Sequence, residues 1–527
     1  MKFRTLVALA VVFAASFSDA GELRLARHFG DHMVLQQGKP VSIWGWAHPG
    51  STVRLSFGGQ TVTAVAEKDG SWKVVLNPLA VSKTGKDLEV RASASGRSAE
   101  SLTVTDVLVG EVWLLGGQSN MAHGITGTDD WPDVSRRADY PTLRYLSMPI
   151  GSPSISPCRE IPGGAHWNVI STNNVNIMSA VGFYFGERLM LDRDVPVGLI
   201  MTARGGSSMA NWTAREWLAK SPFQKAAMAR HDRLSAEWIA TNGYQAALSA
   251  YGRKAEKYYG DVQLAKQGKV KWPWPPPSVP VPYTNQNRNF TPEVDFNALI
   301  APLAGTTISG VLWYQGESDG WAYNQRDPAW HFSEMLETMI ACWRERWGED
   351  IWFVASELAS LSSEGSQNGL PVTRVRQHET ERRIKNFAVA NIVDTGWEKD
   401  VHPHDKTVVG ERLAHLARRV VYGEKSLARM PVARTVDFTD SGAVVKVDVD
   451  GELKLKGKPE GFEVRVDGVW KPCTDVVAKG GILRLRTPSG RVDGVRYLWC
   501  GWAKPLACVY DGCGLPLTAF SFPLEVK

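Results

Sequence analysis

The sequence predicts an α/β protein in which a parallel sheet covered by helices is flanked by two β-rich domains. In the middle of the chain, apolar strands alternate with helical stretches, which is the pattern of a parallel sheet. Both ends instead alternate apolar and polar residues in short runs, as antiparallel strands do. The chain has 527 residues, of which 43% are hydrophobic and 22% charged. It is therefore long enough to form two to four folded domains.

The first 20 residues have the pattern of a secretory signal peptide. Lys2 and Arg4 precede an apolar run that extends from Leu6 to Phe17, and a small-x-small site ends at Ala20. An uncleaved membrane anchor is the alternative, but the run is shorter than the roughly 20 residues that span a bilayer. We expect cleavage after Ala20, a secreted or periplasmic protein, and no membrane insertion.

Residues 21–105 are predicted to form an N-terminal β-sandwich-like domain. Val41–Trp46 and Ser71–Leu76 alternate apolar and polar residues between turn formers. The same alternation returns in residues 431–527, for example in Val444–Val449 and Phe462–Val466. A second domain of the same class is therefore expected at the C-terminus.

Cysteines are concentrated near the C-terminus. The six are Cys158, Cys342, Cys473, Cys500, Cys508 and Cys513. Disulfides persist in exported proteins, so a bridge among the last four is expected, with a connectivity that spacing alone does not give. No CxxC pair is present, which disfavours zinc.

Residues 106–430 carry the strand and helix alternation. A long apolar run ends at Gly116-Gly117, and helices are predicted over Phe183–Leu191 and His331–Arg346. Four more buried strands are predicted: Val195–Met201, Ile308–Tyr314, Ile351–Ala355 and Phe387–Ala390.

An insertion at about 213–296 separates the second and third of these strands. Its first half, through Lys266, is helix-like, and its second half contains the proline-rich run Trp272 to Pro277, which must be largely extended. The insertion either covers the rim of an active site or is a spacer.

Three polar loops follow three of the predicted strands. Ser119 stands in Gly116–Met121, a Gly pair stands in Arg204–Ser208, and the third loop is Gln315–Asp319. Ligands of open α/β sheets bind at the carboxyl ends of the strands. A serine in a glycine-rich turn is weak evidence alone, but three such loops at one edge indicate a site.

A histidine lies near the end of the same region. His402 precedes a helix-like stretch that extends from Val408 to Val421, and Asp400 stands two residues before it. A histidine and an orienting carboxylate are what a weakly acidic serine hydroxyl needs to act as a nucleophile at neutral pH.

These motifs together resemble the SGNH hydrolases, whose catalytic domain is a flavodoxin-like three-layer parallel sheet, and in particular the sialate O-acetylesterase-like carbohydrate esterases. The resemblance covers about residues 25 to 425. The matching segments are Asp31–Gln37, Trp44–Trp46, Gly117–Met121, Gly205–Ser207, Trp313–Ser318, His402-Pro403, Lys406 and Gly410–Ala414.

The resemblance implies hydrolysis of acetyl esters on a carbohydrate, either sialic acid or a hemicellulose-type glycan. Ser119 would attack the ester carbonyl, His402 would be the base, and an acetyl-enzyme would form. The oxyanion would be held by the backbone NH groups of Ser119 and Gly205 and by the side-chain amide of Gln315. No metal or organic cofactor is implied.

Two assignments depart from the usual SGNH pattern. The acid commonly stands three residues before the histidine, where this chain has Lys399. Asp400 is therefore preferred as the orienting acid, with Asp394 next. Most SGNH hydrolases use Asn as the third oxyanion donor; Gln315 can donate an NH here, whereas ionised Glu317 cannot. Glu317 is expected to support the site or touch the substrate.

Arg374 and Gln377 resemble a family R-x-x-Q pair and could bind substrate, or could simply lie on a helix surface. His404 is interpreted as a surface residue. The 21 tryptophans suit a sugar enzyme, because aromatic faces stack on sugar rings. They also suit a non-catalytic carbohydrate-binding protein, which is the alternative function. Intact Ser119 and His402 argue against that alternative, and no motif supports a serine peptidase.

The charge balance indicates no electrostatic partner. Lys and Arg number 60 against 55 Asp and Glu, a net charge of +5 spread along the chain. This small surplus gives no support for nucleic acid as a partner. An acetylated carbohydrate is the expected partner, and the sequence does not indicate the oligomeric state.

Overall fold

The computed structural model describes residues 21–148, 153–270, 291–320, 327–362, 366–487 and 490–524. The predicted signal peptide and the proline-rich run of the insertion lie outside the described residues. No helix among the described residues is long and apolar enough to cross a bilayer.

The N-terminal region consists of strands that pair antiparallel, except Val34–Gln36, which pairs parallel with the later strand at Glu100–Gly117. They are β1 (Arg24–Leu25), β2 (Val34–Gln36), β3 (Val41–Trp46), β4 (Thr52–Phe57), β5 (Gln60–Val65), β6 (Ser71–Leu76) and β7 (Ser82–Ser93). Both predicted strands of this region are present, as β3 and β6, and β3 alternates buried and half-buried side chains. One sheet has the order β1-β3-β6.

The next strand, β8 (Glu100–Gly117), connects this region to the central sheet. Its first half pairs antiparallel with β7, and its second half pairs parallel with central strands. The backbone thus continues without a break through the predicted domain boundary at residues 105 and 106.

The central sheet has the order β10-β9-β11-β8-β12-β13-β14. Its other strands are β9 (Tyr140–Ser147), β10 (His166–Ile170), β11 (Val197–Met201), β12 (Gly310–Tyr314), β13 (Trp352–Ser356) and β14 (Phe387–Ala390). All pairs are parallel except β9 with β10. β11 lies on one side of β8 and β12 on the other, so the strand order reverses at β8. Such a reversal opens a crevice at the carboxyl ends of the strands.

Helices cover both faces of this sheet. They are α1 (Ser119–Ala122), α2 (Trp131–Arg137), α3 (Ala180–Arg193), α4 (Arg215–Leu218), α5 (Pro222–Ala240), α6 (Gly243–Lys266), α7 (Glu317–Gly320), α8 (Asp327–Trp330), α9 (Phe332–Trp347), α10 (Ser366–Arg383) and α11 (Thr407–Val420). Leu115 and Leu312 share a buried cluster with α3 and α11, whereas Leu114 and Val311 share one with α9. Neighbouring strand residues thus face opposite layers, as the pleat requires.

The helical half of the insertion begins with α4 and continues through α5 and α6. It is attached to α9 by Ser221, which hydrogen-bonds Glu334, and by an ion pair between Glu216 and Arg346. These contacts leave both interpretations of the insertion open, because its residues 271–290 are not described.

The C-terminal region is again built of strands, with its own apolar core. They are β15 (Val432–Thr439), β16 (Gly442–Asp448), β17 (Lys454–Leu455), β18 (Phe462–Val466), β19 (Val469–Pro472), β20 (Asp475–Lys479), β21 (Ile482–Arg486), β22 (Val492–Tyr497), β23 (Val509–Tyr510) and β24 (Phe520–Phe522). The two four-stranded sheets have the orders β15-β16-β21-β20 and β19-β18-β22-β24.

The disulfide expected in this region is not formed, and all six cysteines are free. The thiol of Cys473 contacts the carbonyl of Arg486, whereas that of Cys508 contacts the carbonyl of Glu460. Each thiol thus donates to a neighbouring carbonyl in a different part of the region. The prediction was wrong because clustering along the sequence does not fix distance in space.

Candidate active site

The turn after β8 presents Ser119 at the crevice. Gly117 has φ of +123°, and a Cβ there would lie 2.2 Å from the carbonyl oxygen of Tyr314, so only glycine fits. Ser119 is half-buried and begins α1. The first NH groups of a helix have no partner within the helix. Ser119 is the first residue of α1, so no carbonyl within that helix accepts its NH.

The loop after β11 brings Gly205 against this serine. A Cβ on Gly205 would lie 3.5 Å from Ser119 Cβ, and Gly205 is exposed. Ser207 holds the loop in place, because its hydroxyl donates to the Arg204 carbonyl at 2.8 Å and accepts from Trp212 Nε1 at 2.8 Å. The loop therefore presents Gly205 backbone next to the nucleophile.

Gln315 lies at the end of β12, fully buried behind the same loop. Its Nε2 donates to the Ser207 carbonyl at 3.2 Å and to Asp319 Oδ2 at 2.5 Å. Burial raises the pKa of Asp319 to about 6. In this conformation both amide hydrogens are committed. The predicted oxyanion role of Gln315 thus requires a substrate oxygen to replace one of these acceptors.

A buried polar network, formed by Asn120, Glu317 and Lys406, lies under the nucleophile. Asn120 Nδ2 donates to Glu317 and, at 2.9 Å, to the Val401 carbonyl, while Asn120 Oδ1 accepts from Lys406 Nζ at 2.5 Å. All three side chains of the network are at most 5% exposed. Asn120, the residue after Ser119, therefore holds the backbone of Val401, the residue before His402.

Burial sets the electrostatics of this network. Burial raises the pKa of Glu317 and lowers the pKa of Lys406 to about 7. The negative charge of Glu317 opposes the lowering of the Lys406 pKa. Glu317 is thus enclosed and bonded to Asn120, an arrangement that favours the supporting role over substrate contact. Asn120 and the buried role of Lys406 were not singled out from the sequence as functional.

His402 is half-exposed at the crevice, after the loop that follows β14. Its Nδ1 lies 3.9 Å from Asp400 Oδ1, and that oxygen accepts from the His402 backbone NH at 2.8 Å. Burial, and next the charge of Lys406, lower the pKa of His402 below its ordinary value of 6.5, while Asp400 opposes the shift. The ring is therefore neutral at pH 7, as a general base must be.

Asp394, the second candidate for the orienting acid, is engaged elsewhere. Arg412 binds it through two hydrogen bonds, of 2.5 and 2.9 Å. No hydrogen bond between Ser119 and His402 is present among the described residues. Catalytic hydrogen bonds are often long before substrate binds, so this geometry is compatible with a serine and histidine pair.

Two further histidines stand beside His402. The ring of His123, which sequence reasoning missed, is nearly parallel to that of His402, with centroids 6.1 Å apart. His404 is partly exposed at the surface and lies 3.5 Å from Asp129, while its ring centroid is 4.1 Å from that of Trp397. Nothing in the sequence around His123 distinguishes it from a surface histidine.

Arg374 and Gln377, predicted to bind substrate, are both fully buried in α10. The Arg374 guanidinium donates to the carbonyls of Leu358, Ala359, Cys500 and Gly501 at 2.8 to 3.0 Å. Gln377 donates to the Ser356 carbonyl at 3.2 Å. Gln377 also donates to the Gln315 carbonyl at 3.4 Å, and Arg374 joins the loop after β13 to the C-terminal region.

Comparison with known proteins identifies the family of this chain. The family model described as carbohydrate esterase, sialic acid-specific acetylesterase matches residues 109–263 and 250–419. A sialate O-acetylesterase from Mus musculus is 28% identical over 98% of this chain and 96% of its own, and one from Homo sapiens is 27% identical over 98% and 94%. The crystal structure of a carbohydrate acetylesterase from Xanthomonas citri has a TM-score of 0.76 and 26% identity, covering 95% of this chain and all of that one.

Proposed function

Because this chain belongs to the family of carbohydrate esterases described as sialic acid-specific acetylesterases, we propose that it removes O-acetyl groups from sugars through an acetyl-enzyme formed on Ser119. One observation supports the mechanism. The Ser119 turn, Gly205 and the His402 loop lie near one another, at the edge of the sheet where the strand order reverses. Ser119 and Gly205 supply a nucleophile and a backbone donor, and His402 is held in its neutral form.

The family and the reaction class are confirmed. The chain is a carboxylic-ester hydrolase, and the family hydrolyses acetyl esters of sugars. The mixed α/β architecture is likewise confirmed. We interpret the central sheet as an SGNH three-layer domain and the terminal regions as β-sandwich-like domains, on the strength of the strand order and the two buried clusters.

The mechanism follows from the placement of the donors. Ser119 Oγ attacks the acetyl carbonyl as its proton passes to His402, and the C–O bond to the sugar breaks as His402 returns that proton to the sugar oxygen. Water, deprotonated by His402, then attacks the acetyl-enzyme; the bond between the acetyl carbon and Ser119 Oγ breaks as His402 returns the proton to Oγ, and acetate is released. The NH groups of Ser119 and Gly205, and Gln315 after it exchanges a hydrogen bond, would hold each oxyanion, at roughly 3 kcal/mol per donor.

The test is acetate release by wild type, Ser119→Ala and His402→Ala from a chromogenic acetate, O-acetylated sialic acid, acetylated xylan and acetylated xyloglucan. We expect both variants to lose at least about 10³-fold in kcat. Ser135→Ala and His166→Ala are the matched controls, because these side chains lie outside the predicted triad and bond the carbonyls of Pro132 and Gly164, and they should keep most of the activity. Sugar binding without Ser119-dependent acetate release would instead support the carbohydrate-binding alternative.

Secretion is part of the proposal and rests on the pattern of the first 20 residues. Expression of the full chain should yield a mature protein that begins at Gly21, which intact mass measurement would show. A mass that retains the first 20 residues would contradict cleavage and favour the anchor alternative.

A further inference from the structure

A groove of about 800 Å³ lies beside the histidine loop. One wall is the segment 396–400, between β14 and His402, and the other is formed by Trp502, Lys504 and Pro505 of the C-terminal region. Asp400 belongs to the groove and also lies 3.9 Å from His402 Nδ1. The groove therefore lies next to His402, the predicted catalytic base.

Two tryptophans face this groove from opposite walls. Trp397 is 37% exposed although its ring packs against His404, and Trp502 is half-buried. Lys504 Nζ donates to the Gly396 carbonyl at 3.1 Å and so fastens one wall to the other. The two indole rings are thus presented by walls that are held together, which lowers the entropy cost of binding.

The charges around the groove cancel. Glu398 and Asp400 oppose Lys399 and Lys504, and Lys504 already donates to a carbonyl. This balance suits an uncharged ligand better than a carboxylate. The volume is in the upper part of the 300–1,000 Å³ range of small-molecule sites, and so admits more than a lone acetyl group.

We propose that this groove binds a neutral glycan chain, holding the sugar units next to the acetylated one by stacking on Trp397 and Trp502. The proposal rests on the proposed esterase function and narrows its substrate class to acetylated, uncharged oligosaccharides. It also assigns the C-terminal region a role, since that region supplies one of the two stacking rings.

The test compares kcat/KM on acetylated xylo-oligosaccharides with kcat/KM on 4-nitrophenyl acetate, which is too small to fill the groove. In Trp502→Ala and in Trp397→Ala the ratio should fall at least about fivefold, through a higher KM on the oligosaccharide. Trp470→Ala is the matched control, because Trp470 lies in β19 of the same region and packs against Arg496 outside the groove. That variant should keep the wild-type ratio.

A binding measurement separates this proposal from the esterase proposal. In the Ser119→Ala variant, calorimetry should detect binding of a xylo-oligosaccharide that carries no acetyl groups. The double variant Ser119→Ala/Trp502→Ala should not bind this oligosaccharide. If no sugar ester is hydrolysed but this binding holds, the esterase proposal fails and the groove stands. If acetate is released but neither tryptophan variant changes the ratio, or only O-acetylated sialic acid is a substrate, the groove proposal is overturned.

Discussion

Asn120→Ala should separate positioning of the catalytic histidine from general stability. The substitution removes two hydrogen bonds donated by Asn120, to Glu317 and the Val401 carbonyl, and one accepted from Lys406. Asn120 is 1% exposed, so water does not replace these partners without rearrangement.

The expected cost follows from the kinds of bond lost. A neutral bond to a carbonyl contributes about 1 kcal/mol and a bond to a charged group about 1.5–3 kcal/mol, so three bonds amount to roughly 4–7 kcal/mol. Glu317 and Lys406 can lower this cost by passing a proton between them, because burial raises the pKa of one and lowers that of the other. We therefore expect a loss of about 3–5 kcal/mol in the free energy of unfolding.

Activity should fall further than stability explains. Release of the Val401 carbonyl lets the His402 loop shift, and a displacement of about 1 Å can cost about 10²-fold in rate. The assay is urea denaturation together with kcat on a chromogenic acetate, measured well below the unfolding transition.

Asn391→Ala is the matched control. Asn391 is as buried as Asn120 and donates to the carbonyls of Pro431 and Pro516 at 2.7 and 2.8 Å, away from the crevice. The Asn391→Ala variant should lose about 2 kcal/mol in the free energy of unfolding but keep the wild-type kcat. Equal kcat losses in the two variants, or an unchanged kcat in Asn120→Ala, would refute the positioning role.

Two further outcomes are expected at the histidine. Activity should decline as the pH falls and His402 is protonated, with a midpoint below pH 6.5. Lys406→Met removes a nearby cation and should therefore move this midpoint to higher pH. A pH profile whose midpoint does not move would contradict the electrostatic coupling of Lys406 to His402. Asp400→Asn should lower kcat/KM at least about tenfold. Asp394→Asn breaks the ion pair with Arg412, so it should lower the unfolding temperature with little change in kcat. A larger loss of activity in Asp394→Asn than in Asp400→Asn would make Asp394 the orienting acid.

The parts that could be predicted from sequence are those set by local pattern. The runs that became β11 to β14 are mostly apolar because both faces of the sheet are buried, and α11 begins within one residue of its expected start. Strands β9 and β10 escaped prediction. β9 contains Pro141 and Arg144, which interrupt its apolar pattern, and Arg144 is nevertheless buried because it pairs with Asp106.

Contacts between distant residues could not be predicted in this way. Asn120 and Lys406 are 286 residues apart and meet only because β8 and the loop after β14 end at the same edge of the sheet. Arg374 is a second case: its resemblance to a family R-x-x-Q pair left a substrate contact or a helix surface open, whereas the side chain is buried and bonds four carbonyls of two loops. A motif identifies which residues matter, but only the topology decides whether a side chain faces the ligand or holds the elements that do. The candidate catalytic residues, and Glu317 as a candidate support, could therefore be named from the motifs, whereas the contacts of Asn120 with Val401 and Lys406 had to be found in the structure.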